Sequence, residues 1–212
     1  MSRSKGQPSR GRPLKVYVVF CHPRRDSFIG AAYDRVLQGL ATAGHEVRTS
    51  DLYADGFSPE LTLHDRTVHL QDHREHPELR PDIEHYVDEL RWCERLVLVY
   101  PTWWSGQPAM LKGWFERVWV QGVAWELRPG ESRIRPLLGN VRRIVAVTSH
   151  GSSKVMNALE GETGKRMTTR ALRPACGVRC RTTWIAFYTI DRRTPAERTA
   201  FLDRVEQRTN SL

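Results

Sequence analysis

Three short stretches of this sequence carry residue types that can bind or polarise a ligand. The first is Cys21, His22, Pro23, Arg24, Arg25, Asp26, Ser27 and Phe28, set between an apolar run and an amphipathic one. If the second run is a helix, its unpaired N–H groups favour an anion. Ser27 adds a hydroxyl, and Arg24 and Arg25 add positive charge. Helix capping by Asp26 or Ser27 would use the same residues, so both readings stand. The stretch has neither Gly-x-Gly-x-x-Gly nor a Gly-Lys-Ser/Thr loop, which excludes a dinucleotide fingerprint and a P-loop. The second stretch is Tyr100, Pro101, Thr102, Trp103, Trp104, Ser105, Gly106, Gln107 and Pro108. Its two tryptophans offer flat apolar surface for a ring system. The third is Thr148, Ser149, His150, Gly151, Ser152 and Ser153, whose small polar residues can present donors to a developing negative charge.

These stretches need a scaffold that holds them together, and the apolar periodicity supplies one. Continuous β-rich runs predict strands at 15–21, 46–51, 95–100, 141–148 and 179–188. Helical spacing predicts helices at 27–43, 82–93, 108–120, 155–172 and 195–208. Gly44 is a stop for the first helix, and Gly161 and Gly164 interrupt the fourth. Trp114 and Trp119 fall on the apolar stripe of the third helix and read as core. The segments 52–80 and 122–140 read as irregular. Strands alternating with helices imply a parallel sheet with right-handed crossovers. Five of them suit an α/β doubly wound sheet in the order 2-1-3-4-5 with helices on both faces. Ligands of such sheets sit beyond the C-terminal strand ends, where all three stretches fall.

The bulk properties agree. A chain of 212 residues with 40% hydrophobic content suits one α/β domain, placed at 15–212. Arg3, Lys5, Arg10, Arg12 and Lys15 supply five of the charges behind the net +9. Residues 1–14 read as a solvated basic tail rather than a nucleic-acid arm. No apolar run approaches the ~20 residues of a membrane span, and no secretory h-region opens the chain. The expectation is a cytoplasmic protein whose Cys21, Cys93, Cys176 and Cys180 are reduced thiols. His69 and His73 stand four apart with Asp72, Glu75 and His76 nearby, as metal ligands on a helix would. A solvated polar insertion is the preferred account of them, so no metal is assigned.

Together the three stretches resemble the flavodoxin-like NAD(P)H:quinone oxidoreductase family, which includes quinone reductases and ancillary flavoproteins of potassium-efflux systems. The longest match runs through Pro101, Trp104, Pro108, Ala109, Leu111, Lys112, Gly113 and Trp114. The family's His-x-x-x-x-Ser-Phe pattern is met by His22, Ser27 and Phe28. The resemblance implies that these three hold the phosphate end of a flavin. It implies that Pro101, Thr102, Trp103 and Trp104 line the isoalloxazine. Thr148, Ser149, His150 and Gly151 stand where the family has Thr-Thr-Gly-Gly, at the ring's pyrimidine side. Trp125 stands where the family often places an aromatic residue of the substrate pocket. The family's downstream Tyr and His are not carried over, because Met156 occupies the Tyr position and Gly161 and Glu162 stand near the His position.

By this resemblance the expected activity is hydride transfer from NAD(P)H through bound flavin to a quinone-like acceptor, by a ping-pong route. His150 is the candidate catalytic residue, stabilising reduced flavin. The sequence leaves FMN or FAD open, and NADH or NADPH. A homodimer is expected, with no nucleic-acid partner. The second functional reading is a flavin-bearing regulatory subunit of a membrane transporter.

Overall fold

A computed structural model describes residues 12–212. In chain order its elements are β1 (Lys15–Phe20), α1 (Phe28–Thr42), β2 (Glu46–Asp51), α2 (Leu63–Thr67), α3 (Glu84–Trp92), β3 (Arg95–Pro101), α4 (Ala109–Val118), β4 (Trp125–Glu126), β5 (Arg135–Pro136), β6 (Arg143–Ser149), α5 (Lys154–Leu159), α6 (Thr163–Arg166), β7 (Arg181–Phe187) and α7 (Pro195–Asn210). The strands β1, β3 and β6 are valine- and leucine-rich and buried on both faces, as a parallel sheet between helix layers requires. All pairings in the main sheet are parallel, in the order β2-β1-β3-β6-β7. With the two-residue strands β4 and β5 set apart as a small antiparallel ribbon, this is the expected 2-1-3-4-5 order.

Alternate side chains of each strand go to opposite helix layers. Val16, Val18 and Phe20 meet Val36 and Leu40 of α1 and Phe201 and Val205 of α7. Tyr17, Val19, Leu96 and Leu98 meet Leu90 of α3 and Leu111 and Trp114 of α4. Trp114 is fully buried and Trp119 nearly so, as their place on the apolar stripe requires.

The segment between β2 and α3 is pinned by charge. Arg117 of α4 is buried and donates to Asp65 of α2, to Asp82 at 2.7 Å and to the Ser58 carbonyl oxygen at 2.8 Å. Asp65 also closes a capping box with Thr62 at the start of α2. Gly113 admits this segment against α4, since a Cβ there would lie 2.1 Å from the Pro59 carbonyl oxygen.

The single helix expected over 155–172 is broken. α5 ends at Leu159, Gly161 and Glu162 turn left-handed with φ of 87° and 49°, and α6 restarts at Thr163. Gly161 has no Cβ to oppose that turn. The histidines at 69, 73 and 76 do not share a helix, because α2 ends at Thr67. His73 is buried with Nε2 2.7 Å from Glu84 Oε1, and the His69 ring lies beside Trp125. Among the described residues no group of three or more His, Cys, Asp or Glu is placed to hold a metal ion. Nor is any described helix long and apolar enough to cross a membrane. Most of the basic tail expected over 1–14 lies outside the described residues. Within it, Arg12 pairs with Glu94, and the Leu14 carbonyl oxygen accepts from Glu46 N–H.

Candidate functional site

The first loop leads from β1 to the N-terminus of α1. Ser27 is the N-cap, and its Oγ accepts from Gly30 N–H at 3.1 Å. That bond uses a lone pair and leaves the Ser27 hydrogen available, so capping and anion binding are compatible. Phe28 and Ile29 head the helix, where N–H groups have no partner within the helix. Arg24 is paired with Asp26, and Arg25 with Asp34, so neither guanidinium is uncommitted. Asp26 is held below the usual carboxylate range by Arg24. His22 folds back on its own loop, with Nδ1 2.9 Å from Arg24 N–H, and its ring lies 6.0 Å from that of Trp103. Phe28 stacks on Phe187 at 5.3 Å and abuts Phe201, anchoring the helix start to β7 and α7. Gly30 lets the loop lie down on the helix, since a Cβ there would fall 1.9 Å from the Arg25 carbonyl oxygen.

The second loop begins with a tight turn. Trp103 and Gly106 exchange backbone hydrogen bonds of 3.1 and 3.0 Å. Between them Trp104 and Ser105 both adopt positive φ, at 48° and 60°. This is type I′ geometry occupied by residues that do not favour it. The Trp104 side chain is fully exposed and Trp103 is 42% exposed. Glu160 and Thr163 hold the turn from outside, bonding to Ser105 Oγ and to its carbonyl oxygen. Gln107 Nε2 ties the loop's other end to the Gly164 carbonyl oxygen at 2.9 Å.

The third loop follows β6. Thr148 Oγ1 lies 3.0 Å from Thr102 Oγ1, and the Ser149 carbonyl oxygen accepts from Thr102 N–H at 2.8 Å. His150 is buried. Its backbone N–H donates to the Phe187 carbonyl oxygen at 2.7 Å, so that group is not offered to a ligand. Its ring stacks on Tyr188 at 4.6 Å and 18°, and burial pushes the imidazole down to about 4. Gly151 is exposed at the tip, and its N–H donates no backbone hydrogen bond among the described residues.

The fold therefore gathers His22, Ser27, Pro101, Thr102, Trp103, Thr148, Ser149, His150 and Gly151 at neighbouring strand ends. Trp125 is held elsewhere: it pairs with Pro136, donates from Nε1 to the Trp119 carbonyl oxygen at 3.0 Å and lies beside His69, none of them in the three loops. The sequence reading missed Tyr188, Asn157, Gln107 and Glu160. Gln107, a polar residue inside the Trp-Trp turn motif, carried a signal; the other three become visible only when chain segments meet.

An α-helix N-terminus, an aromatic turn and a hydroxyl pair thus meet at the C-terminal edge of a doubly wound sheet, the edge at which such sheets bind ligands. The model of the family described as the flavodoxin-like fold matches residues 14–210, and the chain belongs to that family. It is 31% identical over 162 residues to NAD(P)H dehydrogenase (quinone) 1 of Rattus norvegicus, covering 71% of this chain and 58% of the relative. It is 33% identical over 111 residues to the uncharacterized NAD(P)H oxidoreductase YcaK of Escherichia coli (strain K12), covering 52% of this chain and 55% of that one. The chain thus spans little more than half the length of these curated relatives. A solved NAD(P)H:quinone oxidoreductase from Methanothermobacter marburgensis aligns with a TM-score of 0.81 at 26% identity, covering 94% of this chain and 98% of that one.

Proposed function

We propose that this chain is a flavin-dependent NAD(P)H oxidoreductase acting on quinones or similar acceptors. The observation that carries the reading is the meeting, at adjacent strand ends, of a helix N-terminus with an exposed aromatic turn. The similarity to a quinone oxidoreductase over nearly the whole of both chains supports it. The residues present fit a flavin. Ser27 and the first N–H groups of α1 suit its phosphate, Trp103 and Trp104 offer apolar surface to a ring, and Thr102, backed by the buried Thr148, offers a polar contact at the ring's edge.

When bound, the flavin supplies the redox chemistry, taking up hydride from a nicotinamide and returning two electrons to an acceptor in a ping-pong cycle. The protein's own task is to hold, orient and exclude. Ser27 and the helix start fix one end, and Pro101 and Trp103 limit how the ring can tilt. The Gly151 N–H can donate to negative charge at the pyrimidine edge. In this reading the protein is a homodimer.

The test is an absorbance spectrum of the purified protein with mass analysis of the released cofactor, FMN or FAD. Bleaching by NADH or NADPH and recovery on adding a quinone are expected. A protein that takes up neither flavin overturns the reading.

A further inference from the structure

Thr148 Oγ1, Thr102 Oγ1 and His150 Nε2 form a row, with separations of 3.0 and 3.4 Å. A hydroxyl has one hydrogen and two lone pairs, so this row can be ordered in either direction. The imidazole decides which. Burial keeps the His150 ring neutral, so it carries a single N–H. Its Nε2 faces Thr102, and its Nδ1 is buried without a hydrogen-bond partner among the described residues.

The ring borders a small cleft lined by Asn157, Glu162, Lys165, Trp184 and Tyr188. Asn157 commits its amide hydrogens to Ser152 Oγ at 2.7 Å and the Ser153 carbonyl oxygen at 2.9 Å, so toward the nearby imidazole it has only its carbonyl oxygen to offer. The carboxylates of Glu160 and Glu162 add negative potential, and Lys165 is already paired with Glu162. Such surroundings suit a buried N–H and oppose a buried lone pair. These surroundings favour the proton on Nδ1, with Nε2 left as an acceptor toward Thr102.

We propose that His150 is a positioning residue for Thr102: Nε2 accepts the Thr102 hydroxyl hydrogen, the buried Thr148 donates to Thr102 in turn, and Thr102 meets a bound ring with its remaining oxygen lone pair. Both hydroxyl hydrogens are then committed inside the protein. Thr102 reads an N–H on the ligand and gives no hydrogen bond to negative charge building on it. The identity of that ligand rests on the flavin reading above; the hydroxyl order does not.

The experiment has two arms. The first uses the full-length protein freed of flavin, with ¹⁵N-labelled histidine, and long-range ¹H–¹⁵N NMR between about pH 5.5 and 8. The expected His150 spectrum shows a protonated Nδ1 and a lone-pair Nε2 that do not titrate over this range. Thr102→Val should move the Nε2 resonance. An Nε2–H tautomer, a titration within the range, or an Nε2 resonance indifferent to Thr102→Val overturns the proposal. The second arm measures the affinities of oxidised and reduced FMN for the wild type, His150→Leu, Thr102→Val and the double variant. His150→Leu frees the Thr102 hydrogen, so it should favour the reduced form by roughly fivefold, the worth of one hydrogen bond. In the Thr102→Val background the same change should have no effect. An equal shift in both backgrounds overturns the proposal. Failure to bind FMN or FAD overturns the functional reading alone, and the first arm still decides the tautomer.

Discussion

The Thr102 N–H donates to the Ser149 carbonyl oxygen at 2.8 Å, one residue beyond the last paired position of β3 and β6, where Pro101 faces Ser149. The sheet's ladder thus continues past its end and joins the aromatic turn to the third loop by backbone alone. Side chains at 102–104 can be changed without cutting that connection, which makes the site open to test.

Trp104 is the first such position. It combines a left-handed backbone with a fully exposed side chain, so it strains the turn and packs against nothing in the chain. Asn tolerates this conformation better. Trp104→Asn should stabilise the ligand-free protein by about 0.5–1 kcal/mol, a rise of about 1–4 °C in melting temperature, while weakening flavin binding. Thermal melts with a flavin titration check both signs together. A lower melting temperature would show that the indole packs after all.

Gly30→Ala should act in the opposite sense. Its Cβ would overlap the Arg25 carbonyl oxygen, so the first loop must lift from α1. A loss of about 1–3 kcal/mol in urea unfolding is expected. FMN affinity should fall with it, because the displaced loop carries Ser27.

Arg117→Ala should be more damaging. It leaves the buried Asp65 carboxylate without its cation, a loss on the order of 3–5 kcal/mol. The Arg117→Ala, Asp65→Ala double variant should lose less than the two single variants added together. Denaturant titrations of all three complete the cycle, and strict additivity would show the pair uncoupled.

His150 should make stability depend on pH. Burial lowers it from 6.5 to about 4, so between these values the unfolded chain holds more protons than the folded one. Stability is then full above about pH 6.5 and falls as pH drops toward 4, by on the order of 2–3 kcal/mol. His150→Gln should flatten that slope in urea titrations from pH 4.5 to 7.5. An unchanged slope would assign the dependence to other groups, such as His73.

Strand and helix order was legible because valine-rich runs such as Val16 to Val19 alternate with amphipathic segments, and burial enforces that pattern on both faces. The strand-end rule then placed all three loops. Local chemistry was legible where it lay within a few residues, as in the capping of α1 by Ser27. What sequence did not carry was side-chain direction. His150 was expected to face a ligand, yet the ring turns inward because Tyr188, 38 positions away, offers an aromatic face. The break at Gly161 and Glu162 was only half visible: glycine marked the place, but the left-handed Glu162 follows from how α6 docks on the Trp104 turn.

The sheet ends on one side at β2, whose residues Glu46, Val47, Arg48, Thr49, Ser50 and Asp51 are mostly polar and largely exposed. Its outer backbone edge has no strand partner among the described residues. A foreign strand pairing there would have to seat itself beside Glu46, Arg48 and Asp51, and charge at a sheet edge discourages such addition. The valine-rich strands that would most readily aggregate are thereby kept in the middle of the sheet, behind a charged border.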